Sequence, residues 1–227
     1  MRRIHRVSYS HYVVPMNSRQ NSRLSTRKKP VQARSTELVA AILEAAAQVL
    51  AKEGAHRFTT ARVAEKAGVS VGSLYQYFPN KAAILFRLQS DEWRETTGLL
   101  RDILEDVRNQ PLDRLRTLVH TFIHSECEEA RMRTALNDAA PLYRDAPEAR
   151  EAKASGSGII NRFMQEVLPS APESTQALAS DLITRTLGAS GKEFSEQPRT
   201  KSEIDAYSEA MAAMFCAYLK SLDRSLK

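Results

Sequence analysis

Apolar residues in this chain recur at helical, not alternating, spacing. From Ser35 onward, Leu38, Val39, Ile42, Leu43, Ala46, Val49 and Leu50 fall mostly three or four apart, which places them on one stripe of a helix. Ser35 or Thr36 can cap its start, and Gly54 is suited to end it. A short helix is predicted over about Thr60 to Ala67, with Val63, Ala64 and Ala67 inward. Gly68-Val69-Ser70 reads as a tight turn, followed by a second short helix over about Val71 to Tyr77. Pro79-Asn80 breaks that helix, and Asn80 is a good N-cap for the next. A long helix is then expected over about Lys81 to Arg108, lined by Ile84, Leu85, Leu88, Leu99, Leu100, Ile103, Leu104 and Val107.

After Pro111, the spacing of Leu115, Leu118, Val119, Phe122 and Ile123 predicts an amphipathic helix running as far as about Leu136. Residues 137–147 hold two prolines and read as a connection. Further helices are expected at about 148–168, 173–194 and 202–224, separated by Pro169, Pro172 and Pro198, with Gly156 and Gly158 weakening the first. No strand pattern and no internal repeat emerges. Composition agrees: 30 Ala and 22 Leu stand against 8 Gly and 9 Pro among 227 residues, a balance that favours helices. The expected fold class is all-α, and no apolar run approaches the roughly 18 residues of a membrane span.

Charge changes the picture. Nine of the 33 Lys and Arg lie in residues 1–34 (Arg2, Arg3, Arg6, Arg19, Arg23, Arg27, Lys28, Lys29 and Arg34), a stretch with no Asp or Glu. The rest of the chain carries 24 basic against 27 acidic groups. The net +6 is therefore a property of a basic arm, expected to be disordered alone and drawn to polyanions. Three readings of the arm stay open. It is a targeting peptide, although it lacks a continuous apolar region and a small-residue cleavage site; a consequence of start-site choice, since Met16 offers a second start; or an arm that follows DNA phosphates. Two cysteines, Cys127 and Cys216, are too few for a disulfide framework and fit a reducing cytoplasm.

The informative stretch is Phe58 to Lys81, FTTARVAEKAGVSVGSLYQYFPNK. Two short helices joined by a three-residue turn make a helix-turn-helix. Leu74 and Phe78 would dock the second helix. Its opposite face shows Gly72, Ser73 and Gln76, flanked by Tyr75 and Tyr77, with no acidic side chain. Such a face can enter a major groove about 12 Å wide without repulsion. Ser, Thr and Tyr hydroxyls, Lys81 and the free N–H groups at helix starts suit phosphate contact. On spacing alone, a helical mini-domain in which the tyrosines merely pack remains open.

Phe58-Thr59-Thr60, Val63-Ala64, Ala67-Gly68-Val69-Ser70, Leu74-Tyr75-Gln76-Tyr77-Phe78 and Asn80-Lys81, in this order and spacing, resemble the signature of the tetracycline-repressor family. The resemblance implies an all-helical homodimeric transcriptional regulator, usually a repressor. A three-helix DNA-binding head (35–80) would follow the arm (1–34). A C-terminal domain (81–227) would bind a small-molecule effector and dimerise through its last two long helices as a four-helix bundle. Ligand would swing the heads apart and release a palindromic operator. Carried over onto this chain, Thr59 and Thr60 would contact phosphate, and Val71, Gly72 and Ser73 would meet bases. Tyr75, Tyr77 and Lys81 would hold phosphates, with Ser70 and Gln76 on the same surface. Ala61 stands where some members read guanine with an Arg. Arg62, one residue on, is a candidate phosphate contact. Direct hydrogen-bond readout therefore looks thin, and thymine methyl contact, DNA shape or the arm would carry specificity.

Other candidates are weaker. Trp93, Phe122, Met132, Tyr143 and Phe163 are candidates to line an effector cavity, with ordinary core as the alternative. Ile204, Tyr207, Met211, Met214, Phe215 and Tyr218 make a wide apolar face on the last helix, which either dimerises or packs within the chain. His120, His124 and Cys127 share a helix face, and a metal- or redox-responsive regulator is an alternative, though no metal or other cofactor is expected. No phosphate loop, nucleophile elbow, HExxH or paired-carboxylate motif points to an enzyme. A ligand-independent DNA-packaging protein is a third class.

Overall fold

The computed structural model describes residues 33–143 and 146–223; residues 1–32 of the basic arm lie outside the described residues, and its last two, 33 and 34, open the first helix. Among these there are nine α-helices, one short 3-10 turn and no strand. They are α1 (Ala33–Arg57), α2 (Thr60–Ala67), α3 (Val71–Tyr77), α4 (Lys81–Leu104), α5 (Pro111–Glu128), α6 (Ala130–Ala139), α7 (Pro147–Val167), α8 (Glu173–Ser195) and α9 (Lys201–Leu222), with the 3-10 turn at Ala140–Leu142.

Local signals set the ends of the short helices. The Thr59 hydroxyl accepts from the Arg62 N–H, the Ser70 hydroxyl from Ser73 N–H at 3.0 Å, and the Asn80 side chain from Ala83 N–H at 2.9 Å. Each satisfies a helix-start donor that would otherwise lack a partner. Gly68 closes α2 in the left-handed conformation (φ 67°), with the Val69 N–H returning to the Ala64 carbonyl.

Three expected boundaries move. The helix expected to reach Arg108 ends at Leu104, so Val107, expected to line it, lies beyond α4 and is exposed. Gly54 (φ 75°) kinks α1 without ending it, and the helix resumes to Arg57. The helix expected to run from Pro111 to about Leu136 is two helices, broken at Glu129 (φ −107°, ψ 10°), so part of the expected 137–147 connection is the end of α6. No Gly or Pro marks that break. It is set by where α6 packs: Ala135, Leu136 and Ala139 are buried with Val39, Ile42 and Leu43 of α1, in the same cluster as Leu74, Phe78 and Ile84.

A second apolar cluster joins α5 to α7, α8 and α9, through Leu115, Leu118, Ile123, Phe163, Ile183, Met211 and Phe215 among others. Gly191 lets α8 approach α5 closely: a Cβ there would lie 3.0 Å from the Phe122 ring and 3.1 Å from Ile123. Arg114, 2% exposed, donates to the Leu104 carbonyl at the end of α4 and to Glu166 on α7, and lies over the Phe163 ring at 5.5 Å. It binds α4, α5 and α7 at one point and gives a helix-terminal carbonyl its partner.

Candidate nucleic-acid interface

Seven residues of α3 divide cleanly between inside and outside. Leu74, Tyr77 and the following Phe78 point into the head core. Val71 (39% exposed), Gly72, Tyr75 (40%) and Gln76 face outward, with Ser73 half-buried beside them. Thr59 and Lys81 are exposed and Thr60 half-buried on the adjoining elements. The residues expected to meet DNA are thus exposed or half-buried, apart from one. Tyr77 is 8% exposed; three positions after Leu74, it falls on the docking stripe. It is core packing, not an exposed flank, and the aromatic edge of the face is Tyr75.

Hydrogen bonds organise this surface. The Tyr75 and Thr60 hydroxyls lie 3.1 Å apart and link α3 to the start of α2. The Ser70 and Ser73 hydroxyls are 2.9 Å apart, so Ser70 acts first as the cap of α3. Gln76 makes no side-chain hydrogen bond among the described residues, leaving its amide free for a base edge. Arg62 behaves differently from the expectation. It pairs with Glu53 and reaches the Arg57 carbonyl, both on α1. Its guanidinium, about half-exposed, braces α1 against α2. A groove between these helices, lined by Lys52, Arg57, Arg62 and Lys66 with Glu53 and Glu65, was not legible in the sequence, because its cations come from two helices of unrelated register.

The five candidate effector residues do not come together. Trp93, Met132 and Tyr143 pack with the head core, whereas Phe122 and Phe163 belong to the second cluster. Tyr143 is a brace: its hydroxyl donates to the Leu136 carbonyl at 2.9 Å and faces Gln89 of α4 at 3.4 Å, and burial pushes the phenol well above its ordinary range. None of the five lines the cavity of about 70 Å³ between α4, α5 and α6, whose surface is mostly carbon although most of its lining residues carry polar groups. Its signal was present in sequence: Glu92, Thr96 and Leu99 on α4, and Thr121 and Ser125 on α5 with Glu129 just past its end, each run near helical spacing.

On α9, Ile204, Met211 and Phe215 are buried in the chain's own core, and Tyr207 and Tyr218 are half-buried. Of the expected apolar face only Met214 is freely exposed (51%). A residue spacing that spans half the helix circumference serves two neighbours, and α5 takes most of it. Leu178 and Leu182 of α8 are also exposed. His124 bonds Asp205 at 2.8 Å and His120 bonds Glu209 at 3.1 Å, both on α9; these contacts tie α5 to α9. Burial raises both cysteine thiols, which disfavours the reactive thiolate.

An exposed, capped, acid-free second helix on a three-helix head defines a helix-turn-helix protein of the DNA-binding class. Comparisons with known proteins narrow this. Residues 42–88 match the family described as bacterial regulatory proteins, tetR family, and residues 110–222 match the tetracyclin repressor-like C-terminal domain. The chain belongs to the tetR family of regulators.

The chain is 37% identical over 83 residues to nucleoid occlusion factor SlmA of Vibrio campbellii, covering 36% of this chain and 42% of the relative. It is 32% identical over 108 residues to the HTH-type transcriptional regulator TtgR of Pseudomonas putida, covering 40% and 51%. It thus spans about half the length of these relatives. Among solved structures, the regulator FadR from Bacillus subtilis in complex with stearoyl-CoA superposes with a TM-score of 0.63 at 17% identity, over 78% of this chain and 97% of that one. The fatty acid degradation regulator FadR from Bacillus halodurans gives 0.63 at 18% identity, over 82% and 96%. These likenesses are of fold.

Proposed function

We propose that this protein is a sequence-specific DNA-binding transcriptional repressor, acting as a homodimer in the cytoplasm and released from a palindromic operator by a small-molecule effector. The observation that carries the reading is the outward face of α3: Val71, Gly72, Tyr75 and Gln76 exposed, no carboxylate, with Thr59 and Lys81 beside it. That face suits a major groove flanked by phosphates. Residues 35–80 would form the head and 81–227 the effector and dimer domain. A helix-turn-helix head reads a palindrome only with a twofold partner about 34–36 Å away. Leu178, Leu182 and Met214, exposed on α8 and α9, are the apolar surface on which a second copy would sit.

Release would be a population shift: an effector that binds the operator-incompetent arrangement more tightly lowers operator affinity reciprocally. The shared core of α1 and α6 supports a mechanical route, since α6 cannot move without repacking Val39, Ile42 and Leu43. The test is operator selection from a random DNA pool, followed by titration of the selected duplex and a scrambled one at fixed salt. A specific-to-nonspecific ratio of about a thousand or more is expected. A ratio near one would refute a repressor and favour a packaging protein.

A further inference from the structure

We propose that residues 1–34 grip the phosphates flanking each operator half-site, so that the basic arm supplies most of the ionic part of DNA binding while the head supplies its sequence preference. This rests on the regulator reading above and adds a second contact region to it.

The head alone is poorly matched to a polyanion. Residues 35–80 carry four Lys or Arg and four Asp or Glu, a net charge of zero, and residues 81–227 carry 20 and 23, a net of −3. A duplex presents about one negative charge per 1.7 Å of its axis. Without residues 1–34 the chain would have the same sign as its partner, and pairing of two copies would double that repulsion. The reading face does not correct this. Its exposed Val71, Gly72, Tyr75 and Gln76 include no cation, Thr59 offers a neutral hydroxyl, and Lys81 is the charge beside them. Within the head, Arg62 is paired with Glu53, and Lys52 and Lys66 share their groove with Glu65. A neutral hydroxyl can bond to a phosphate, but it neutralises none of the charge and so releases no counterion.

The missing charge stands next to the head in the chain. Residues 1–34 hold nine Lys and Arg and no carboxylate. They lead straight into α1, whose first turn has no acidic residue either. Thirty-two residues can span at most about 105–115 Å, whereas a domain of the head's size has a radius of gyration of about 9 Å. The flank of a bound duplex is therefore within reach from any side of the head. Between residues 17 and 29 the cations Arg19, Arg23, Arg27, Lys28 and Lys29 stand in a background mostly of Ser, Asn, Gln and Thr, a pattern that meets charge rather than base edges. An anionic membrane offers charge as well; direct attachment to a helix-turn-helix head favours DNA.

The full-length protein is compared with a full-length variant carrying Arg19→Gln, Arg23→Gln, Arg27→Gln, Lys28→Gln and Lys29→Gln together. Fluorescence anisotropy over a range of salt concentrations follows a selected operator with flanks of one helical turn, the same operator trimmed to its half-sites, and a scrambled duplex. The slope of log affinity against log salt should be shallower in the variant by at least about 2 per bound protomer, the loss of two or more phosphate contacts at about 0.9 each. The specific-to-nonspecific ratio should change by less than about fivefold, the smallest usual effect of one lost base pair. Trimming the flanks should weaken the parent more than the variant, the Tm should not move, and Lys28→Arg with Lys29→Arg should keep the parent's slope. A smaller change in slope, a larger fall in the ratio, equal sensitivity to trimming or a lowered Tm would each overturn the proposal. So would a parent that needs these five cations to bind vesicles of equal parts phosphatidylserine and phosphatidylcholine but not for its salt slope on DNA. If the parent prefers no duplex to the scrambled one, the regulator reading fails, and the slope on scrambled DNA still decides the role of the basic residues. If the parent is specific and the variant keeps its slope, the inference about residues 1–34 fails alone.

Discussion

Gly72 offers a direct way to separate what the fold needs from what DNA needs. It sits in the first turn of α3, exposed, and its φ is not positive. A Cβ built there meets nothing closer than the Ser70 hydroxyl oxygen at 3.7 Å, an ordinary van der Waals contact. The fold therefore accepts alanine, and Gly72→Ala should stabilise the protein by about 0.5–1 kcal/mol through helix propensity and reduced unfolded-state entropy. For a chain of this size that is a rise of about 2–4 °C in Tm per kcal/mol. A glycine that the fold does not require, on the face proposed to enter the groove, is explained by close approach of backbone to DNA. The added methyl would hold the helix away, costing about 1–3 kcal/mol in affinity for the selected operator, the scale of one good base contact. Denaturant unfolding followed by circular dichroism gives the first quantity, and fluorescence anisotropy at fixed salt gives the second. Opposite signs are expected. A variant that is more stable and binds its operator as tightly as the parent would refute close approach at this position, and one that is less stable would refute the reading of the open space.

Other consequences are as specific. Gly191→Ala should destabilise by about 1–3 kcal/mol, because its Cβ would crowd Phe122 and Ile123 at 3.0 and 3.1 Å; an unchanged urea midpoint would show that α8 simply shifts. Thr200→Ala removes the capping box with Glu203 at the start of α9 and should cost about 1 kcal/mol by the same measurement. Leu182→Glu combined with Met214→Glu should give a folded monomer in sedimentation that no longer binds the operator; a persisting dimer would place the twofold contact elsewhere. The raised Glu92 and Glu126 carboxyls bind protons more readily in the native than in the unfolded state. Their stabilising contribution is complete below the ordinary 4.5 and is lost as pH rises through the higher native values. Glu92→Gln should therefore flatten the loss of stability as pH rises above the ordinary 4.5, and an unaltered slope would contradict the buried-carboxylate account.

The head was legible before any coordinates because its information is local. Thr59, Ser70 and Asn80 cap helices through their own neighbours, and Gly68 makes its turn from its own φ. The apolar stripes that dictate which side of each helix is buried are likewise properties of a few consecutive residues. What the stripes cannot say is which element covers them. The break at Glu129 follows from α6 docking on α1, some ninety positions earlier in the chain. Arg62 was readable as a surface cation, but its commitment to Glu53 depends on how α1 crosses α2. Tyr77 and Tyr75 differ by two positions and a rotation of the helix, and only packing on the head core makes one structural and the other free. The aromatic candidates for an effector pocket were dispersed for the same reason, while a small cavity assembled from residues of α4, α5 and α6, among them Glu92, Leu99, Ser125 and Arg133. Periodicity and capping are short-range, and the sequence by itself determined the helices, their faces and the head. Burial and ion pairing depend on which surfaces meet across long chain separations, and those only the tertiary structure decided.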